Sequence, residues 1–433
     1  MLKKILNTVA ARFISALASF ATIVFVAKFL RTSGLGTISL LANTIFIMNL
    51  INGILGGASL VYLIPLNKNK AFIHKTLFIS YGWILGVTFC VLFVSFRIGL
   101  VDNISFVHTF CLTVLASFST SNALVLLAFE KVNRYNETLL IQIILSPVVF
   151  LAIHFIKTSV AVEDFIFGLY VSYTGSLIFS CIHLRRVTRP LDAKNGETAI
   201  YSIFKKLMVF GFLSQVSTIV QYLNYRISIF LLNKFSSIEN VGIYSVALRI
   251  TEAIWMISSS IALVQYARVS NQKNDFESIH LTIKLSKVSL AVTLLATGMF
   301  VCLPSDIFIF LFGREFTNIP KIGLALSVGI VSIGYSTIFA HFFSGKGKYS
   351  YNVYVCIIGF LINLLGNLLF LKSYGMMAAA FTSTVSYAVM SGILFLLFVK
   401  KTDTPMNALW LKMQDFQDIV LKIKNASRKI HEG

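Results

Sequence analysis

The chain of 433 residues is 57% hydrophobic and only 12% charged, and 37 Lys and Arg against 17 Asp and Glu give it a formal charge of +20. That balance leaves no room for a water-soluble domain. The basic surplus needs no nucleic acid either, because it sits in short loops of the kind that face anionic lipid headgroups.

Twelve mostly apolar stretches follow one another, near 9–30, 35–65, 77–98, 106–129, 138–157, 163–184, 207–233, 241–265, 286–312, 319–344, 351–371 and 374–399. A helix rises ~1.5 Å per residue, so about twenty residues cross a ~30 Å hydrocarbon core. The chain therefore reads as an all-α polytopic membrane protein with about 12 transmembrane helices. Threading it through a bilayer puts 27 Lys and Arg on the side holding both ends and 8 near the other, with Arg226 and Arg249 inside spans. Cation-rich short loops stay inside the cell, so both termini are expected in the cytoplasm. Met1-Leu2-Lys3-Lys4 resembles a signal-peptide start, but the following run carries Arg12 and Lys28 and no small-x-small cleavage site. An uncleaved first span is expected.

Cys90, Cys111, Cys181, Cys302 and Cys356 fall in separate apolar segments without metal or redox spacing, and are expected to be packing residues. No G-x4-G-K-[ST] motif occurs, and Gly345-Lys346-Gly347-Lys348 reads as a turn, so no nucleotide, metal or other cofactor is expected.

Two halves echo each other. Lys28-Phe29, Leu35-Gly36 and Ser39 match Lys234-Phe235, Val241-Gly242 and Ser245 at a constant offset. Phe155, Lys157 and Val171-Ser172-Tyr173 match Phe370, Lys372 and Val385-Ser386-Tyr387 with a one-residue slip. Six spans per half is even, so both halves run the same way across the membrane and a site is expected between them. The expected organisation is an N-terminal six-helix lobe over 1–187, a cytoplasmic linker over 188–206 with Pro190 and Gly196, a C-terminal six-helix lobe over 207–400, and a tail over 401–433. After Thr404-Pro405, Leu409, Met413, Phe416, Val420, Ile423 and Ile430 share one face of a basic helix, which is expected to lie on the cytoplasmic membrane surface. Pro147 should kink the fifth span. Gly53-x-x-x-Gly57 and Gly82-x-x-x-Gly86 should bring helices into close contact.

The seventh span carries the strongest functional signal. Ser214, Gln215, Ser217, Thr218, Gln221, Tyr222, Asn224, Tyr225, Arg226 and Ser228 fill one helical face and apolar residues fill the other. Lipid would reject that face, so it must line protein or water. In the eighth span Ser245, Arg249, Glu252, Trp255 and Ser259 form a narrower stripe, and Arg249 and Glu252 can touch across one turn. Glu252 is then either half of a static pair or an ion-coupling residue. Arg226 has no acid at helical spacing in its own span, which marks an anion path. Both arginines lie about 10–14 Å from the outer helix ends, a depth suited to a pyrophosphate held by guanidinium forks. Gln221, Tyr222, Asn224, Tyr225 and Trp255 could hydrogen-bond and stack on sugars. In the first half, Arg12, Ser15, Ser19 and Thr22 form one stripe, with Asn43, Asn49 and Asn52 on the second span. Arg12 and Lys28 either snorkel to headgroups or join the site.

Several segments resemble one family. They are Lys28-Phe29-Leu30 leading to Gly34-x-Gly36, Asn240 to Ala247, Phe312-Gly313-Arg314-Glu315-Phe316, and Asn363 to Asn367 followed by Tyr374-Gly375-Met376-Met377-Ala378-Ala379-Ala380. These resemble the Wzx-type lipid-linked polysaccharide flippases of the multidrug/oligosaccharidyl-lipid/polysaccharide exporter superfamily. Lys28 stands where that family often has Arg, and Lys372-Ser373 where it often has a proline. The resemblance implies two six-helix lobes around a central cavity in the cell inner membrane. It implies as cargo an undecaprenyl-pyrophosphate-linked oligosaccharide, flipped for lipopolysaccharide O-antigen or capsule synthesis. Membrane lipids, a polysaccharide polymerase and a chain-length regulator are the partners it suggests. Moving two negative charges outward would gain ~2.3 kcal/mol per charge per 100 mV, so no ATP is required. A cation-coupled drug antiporter of the same superfamily is the alternative, and a membrane glycosyltransferase or polymerase a weaker one. Cationic cargo favours unpaired acids, and a glycosyltransferase needs a large outer loop with catalytic acids.

Overall fold

The computed structural model describes residues 2–66, 69–97, 103–157, 159–190, 200–272 and 274–410. All of their regular structure is helical. In order they form α1 (Leu2–Gly56), α2 (Ala58–Leu66), α3 (Lys70–Arg97), α4 (Asn103–Ala128), α5 (Val132–Ile156) and α6 (Val162–Thr188). There follow α7 (Ile200–Phe235), α8 (Ile238–Asn271), α9 (Asp275–Val301), α10 (Ser305–Phe312), α11 (Ile319–Gly345) and α12 (Tyr349–Thr402). Nine stretches of the described residues are long and apolar enough to cross a membrane. Two of these are double-length: Leu17–Pro65, which bends inside α1, and Tyr349–Thr402, which bends inside α12. Phe78, Phe155, Met299, Phe310 and Leu369 stand on the outer surface, most of each side chain exposed, as a lipid-facing shell requires. The protein is a multi-pass helical membrane protein.

The contacts divide the chain into two compact units. The first runs to Leu223 and includes Leu311–Glu315; the second comprises Asn224–Phe310 and the described residues from Phe316 onward. Within each, small hydroxyl residues hold the helices together, as expected where apolar association gains nothing from surrounding lipid. On α6, Gly168, Ser172, Ser176 and Ser180 recur every fourth residue on the buried face. Ser172 donates to the Gln142 carbonyl at 2.7 Å and Ser176 to the Thr138 carbonyl at 2.9 Å. A methyl on Gly168 would lie 2.8 Å from the Ser146 carbonyl oxygen, so α5 and α6 touch backbone on backbone beside Pro147. In the second unit Ser289 donates to the Gly334 carbonyl at 2.9 Å and Ser386 to the Gly359 carbonyl at 2.8 Å, tying α9 to α11 and the halves of α12 to each other.

The two glycine motifs have different fates. A methyl on Gly53 or Gly57 would meet the Gln215 amide at 3.0 and 2.9 Å, so this motif makes the groove in which Gln215 of α7 lies. Nearby, a methyl on Gly211 would fall 1.6 Å from the Ile54 carbonyl oxygen, which makes α7 and α1 cross backbone on backbone. Gly82 and Gly86, by contrast, have no atom of the described residues within 4 Å of such a methyl, so among those residues the expected helix contact is absent. Spacing alone does not say which face of a span meets protein and which meets lipid. Cys90 and Cys302 are likewise exposed, contrary to a packing role, while Cys356 is buried.

Helix ends correct one expectation. The ninth predicted span, 286–312, ends as a straight helix at Val301 and resumes only after Pro304. The amphipathic tail falls mostly on 411–433, outside the described residues; before it, α12 closes on Asp403 with φ 50°, and Met406–Leu409 form one short 3-10 turn with Leu409 buried.

Candidate functional site

The second unit collects the intramembrane charges. Arg226 lies on α7 and is 5% exposed; Glu252 on α8 receives it with Nη2 2.7 Å from Oε1 and 2.9 Å from Oε2. Arg249, one turn from Glu252, approaches only to 3.9 Å, and its side chain is 44% exposed. The expectation of an unpaired Arg226 is therefore corrected. Its acid comes from the next helix, which periodicity within one span cannot reveal. The carboxylate sits between two guanidiniums, tightly held by the buried one and loosely by the open one. Taken together the three groups carry one surplus positive charge, and Arg249 is the guanidinium left accessible.

Aromatic and amide groups flank this cluster in the same unit. The Tyr225 ring lies 4.6 Å from Trp255 and 5.6 Å from Tyr387. Asn224 is fully buried and works structurally: Asn363 donates to its backbone carbonyl at 2.7 Å, and Ser386 to its side-chain oxygen at 3.1 Å. Asn367 extends the network to Asn363, Ser228 and Thr382. Asn224, expected to face cargo, is therefore a strut between α7 and α12. Tyr244 and Ala378–Ala380 are buried beside it, the Tyr244 hydroxyl 3.3 Å from the Ala379 carbonyl.

The remaining predicted residues belong to the first unit. The Tyr222 hydroxyl donates to Asn43 Oδ1 at 2.7 Å, and its ring lies tilted against Phe46 with centroids 4.4 Å apart. Gln221 and Lys28 are exposed. Arg12 is on α1, but its side chain is outside those described.

A cavity that the sequence did not single out lies wholly within the first unit. Its volume is about 930 Å³, and none of the described side chains lining it is charged. Asn49, Asn52, Ser117, Gln142 and Gln215 put amides and hydroxyls on a wall otherwise built from groups such as Ile45, Phe46 and Leu124. Asn52 is 1% exposed; its Nδ2 donates to Thr88 Oγ1 at 3.0 Å and Ser117 Oγ at 2.9 Å. Ser117 in turn donates to Asn49 Oδ1 at 2.5 Å. Of this wall, Asn49, Asn52 and Gln215 were already marked by the polar stripes of the sequence, while Ser117 and Gln142 were not.

The same unit has a strained helix break. Arg31, inside α1, takes φ 57° and ψ −164°, a conformation that costs a non-glycine residue about 1–3 kcal/mol. The helix restarts at Thr32, whose amide and hydroxyl both donate to Glu315 Oε2, at 3.1 and 2.8 Å. Arg31 Nη1 lies 3.7 Å from Glu315 Oε1. The Thr32 hydroxyl, then its amide, then Arg31 hold the Glu315 carboxyl below the usual glutamate range.

The comparisons with known proteins agree with this geometry at the level of fold. Over 90% of this chain and 94% of the other, it superimposes with TM-score 0.71 and 14% identity on an inward-facing multidrug resistance MATE family transporter of the MOP superfamily. The lipid II flippase MurJ, in an inward closed conformation, gives TM-score 0.68 and 15% identity over 93% of this chain and 88% of that one. The chain has the MOP-superfamily fold. A mutant MATE transporter from Vibrio cholerae also matches, at TM-score 0.60 and 12% identity over 94% and 98% of the two chains. A family described as "Polysaccharide biosynthesis protein" matches residues 165–320, the segment that holds Arg226, Arg249 and Glu252. Among curated proteins, none matches.

Proposed function

We propose that the protein is a flippase. It moves an undecaprenyl-pyrophosphate-linked oligosaccharide repeat unit from the cytoplasmic to the outer leaflet of the inner membrane, by alternating access, for O-antigen, capsule or related surface polysaccharide. The carrying observation is the cluster of two guanidiniums around one carboxylate, with Arg249 left 44% exposed. An exposed guanidinium beside the Arg226–Glu252 pair suits a pyrophosphate, since guanidinium forks bind phosphate oxygens bidentately. The family match over 165–320 and a fold shared with a lipid II flippase support the same reading. Both termini then lie in the cytoplasm, the polymerase and chain-length regulator act on the flipped product, and no bond in the cargo is made or broken by this chain.

Roles within the cluster follow from burial. Arg226 positions Glu252, while Arg249 contacts cargo. Tyr225 and Trp255, whose rings lie 4.6 Å apart beside the cluster, contact the sugars. Arg249→Ala should abolish surface glycan at unchanged protein abundance, with complete lipid-linked repeat units accumulating on the cytoplasmic leaflet. Normal glycan at equal abundance would rule out the phosphate role, and a stalled intermediate lacking a sugar would favour an enzyme.

The second reading, a cation-coupled antiporter, draws on the fold shared with multidrug transporters and on Glu252 as a membrane-embedded carboxylate. Vesicle transport with Glu252→Gln separates the two. Loss of dependence on the proton gradient in a folded variant makes Glu252 a coupling residue; surviving dependence makes it structural.

A further inference from the structure

Away from the intramembrane charges, the first unit has a smaller cavity of about 430 Å³ where α4 ends, α5 begins and α6 ends. At the close of α4 the Lys131 amide donates to the Leu126 carbonyl at 2.9 Å and the Glu130 amide to the Leu127 carbonyl at 2.8 Å, with Glu130 at φ 58°. That pair of bonds is the Schellman termination of a helix, and it turns the chain at once into α5. The turn sets Lys131 in the cavity wall, and Arg134 on the first turn of α5 joins it. The last turns of α6 supply His183 and Arg186, with Leu126 and Val187 as the apolar part of the lining. The His183 ring is held in place by its Nδ1, 3.0 Å from the Phe179 carbonyl.

Charge here is lopsided. Lys131, Arg134 and Arg186 line the cavity, and no carboxylate does so among the described residues. Arg134 Nη1 meets Glu137 at 2.7 Å, but with side chains 47% and 42% exposed that pair is weak in solvent. Over the described residues 126–137 and 183–190 the cations are Lys131, Arg134, Arg185, Arg186 and Arg189, and the carboxylates only Glu130 and Glu137. Cations near a helix C-terminus answer its dipole, which accounts for those on α6. The same dipole disfavours Lys131 and Arg134, which stand at the N-terminus of α5, where the first turn has no acid and Lys131 makes no capping bond. A negative group brought to the cavity would meet both the cations and that helix end. On α6, Ile178, Ile182 and Arg186 follow one another every fourth residue along one exposed face. Ile178 and Ile182 are 56% and 45% exposed, as residues that meet lipid chains are, and their stripe leads to Arg186 in the cavity wall.

We propose that this cavity binds the phosphate headgroup of an anionic membrane phospholipid, with an acyl chain lying along Ile178 and Ile182. Guanidinium and ammonium groups donate strongly to phosphate oxygens, and basic pockets between membrane helices hold such headgroups. A soluble phosphate would use the cations but not the apolar stripe. A zwitterionic headgroup brings its own ammonium into a wall of cations, so phosphatidylglycerol and cardiolipin are preferred to phosphatidylethanolamine. The bound lipid then ties the α4–α5 turn to the end of α6. The site rests on this cavity and its charges, not on the flippase reading.

The test places the full chain in nanodiscs of phosphatidylethanolamine with a trace of phosphatidylglycerol bearing a diazirine in its acyl chain, and maps the cross-links. Labelling should concentrate on 178–190 and 126–134. Unlabelled phosphatidylglycerol or cardiolipin should compete it away, and excess phosphatidylethanolamine or inorganic phosphate should not. Lys131→Gln with Arg186→Gln changes two exposed side chains and should fold as wild type. It should lower the labelling by about tenfold or more, as removal of two cations beside an anionic headgroup implies. Lys205→Gln with Lys206→Gln removes the same charge from exposed positions on α7 and should leave labelling unchanged. Equal loss in the two pairs means a diffuse surface potential and overturns the site. Displacement by inorganic phosphate makes it a site for a soluble anion, and stronger displacement by undecaprenyl phosphate than by cardiolipin gives it to a polyprenyl lipid; either result defeats the proposal. So does labelling that appears only after Asp192→Asn with Glu197→Gln, which would assign the cavity to acids of the chain's own linker. Lipid labelling and glycan display are separate readouts: normal glycan in cells lacking the protein would sink the flippase reading alone, and absent labelling would sink this site alone.

Discussion

Lys28–Ser39 in the first unit and Lys234–Ser245 in the second match in sequence at one offset, yet they restart a helix by different means. In the second, Ser237 stands at the break with an ordinary extended conformation, φ −136°, and its side chain accepts from the Asn240 amide at 3.3 Å. The residue at the same place in the first is Arg31, which cannot cap and sits at φ 57°. There the capping oxygen comes from Glu315, 283 residues further along the chain. The chemistry of the interiors diverges in the same direction. The second unit pairs Arg226 with Glu252 on neighbouring helices, whereas none of the described residues lining the first unit's larger cavity is charged. One restart is capped by a residue of its own break, the other by a residue of the same unit that is distant in sequence.

The largest effect should come from breaking the second unit's buried pair. Glu252→Leu strands Arg226, 5% exposed, without its carboxylate, and losing one partner of a buried pair costs about 3–5 kcal/mol. Thermal inactivation of the purified protein should shift down sharply, and Arg226→Met with Glu252→Leu should recover most of it. If the single variant is as stable as wild type, Arg226 is solvated and the pair is not what holds α7 to α8.

Next comes the borrowed cap. Glu315→Ala removes two hydrogen bonds from the restart of α1, and loss of an N-cap costs roughly 0.5–2 kcal/mol. The half-exposed ion pair with Arg31 adds little to that in solvent. Because folding holds the Glu315 pKa low, its stabilisation is present above the unfolded glutamate range and is lost as pH falls through and below that range. Wild type should thus lose stability on acidification more steeply than Glu315→Gln. Parallel pH profiles for the two proteins would remove Glu315 from the capping role. Ser237→Ala should cost ~1 kcal/mol with no pH dependence, since a hydroxyl cap does not titrate. A pH-sensitive loss there would mean that the two breaks are not different in kind.

Much of the architecture was legible because membrane helices announce themselves by length and hydropathy. What stayed hidden was pairing across helices. The arc of polar residues on α7 is continuous in sequence, but its residues take different duties: Tyr222 binds Asn43 in the first unit, Asn224 braces α12, and Arg226 meets Glu252. A helical wheel reports a face and says nothing of what is opposite. The segments behind the family resemblance turn out to be core and caps: Tyr244, Asn363, Asn367 and Ala378–Ala380 are buried in packing, and Glu315 is a cap. They speak for a fold rather than for a cargo, which is why they were readable without alignment. The first unit's larger cavity was legible only in part, since asparagine and glutamine among apolar residues look the same whether they pack against neighbours or line a cavity.

The smallest expected change addresses the strain at Arg31 directly. Glycine adopts φ 57°, ψ −164° without the side-chain clash, so Arg31→Gly should recover about 1–3 kcal/mol in the folded state. Against this, glycine gains freedom in the unfolded chain, which costs about 0.5–1 kcal/mol. The 3.7 Å contact with Glu315 is also lost, but at 79% and 42% side-chain exposure it weighs a few tenths of a kcal/mol at most. The balance is a modest gain, and thermal inactivation should rise slightly. The counterpart Ser237→Gly relieves no strain, loses the capping oxygen, and should move the other way or not at all. A drop in Arg31→Gly as large as that in Glu315→Ala would show that the arginine side chain itself holds the break, and that the first unit is less dependent on Glu315 than the geometry implies.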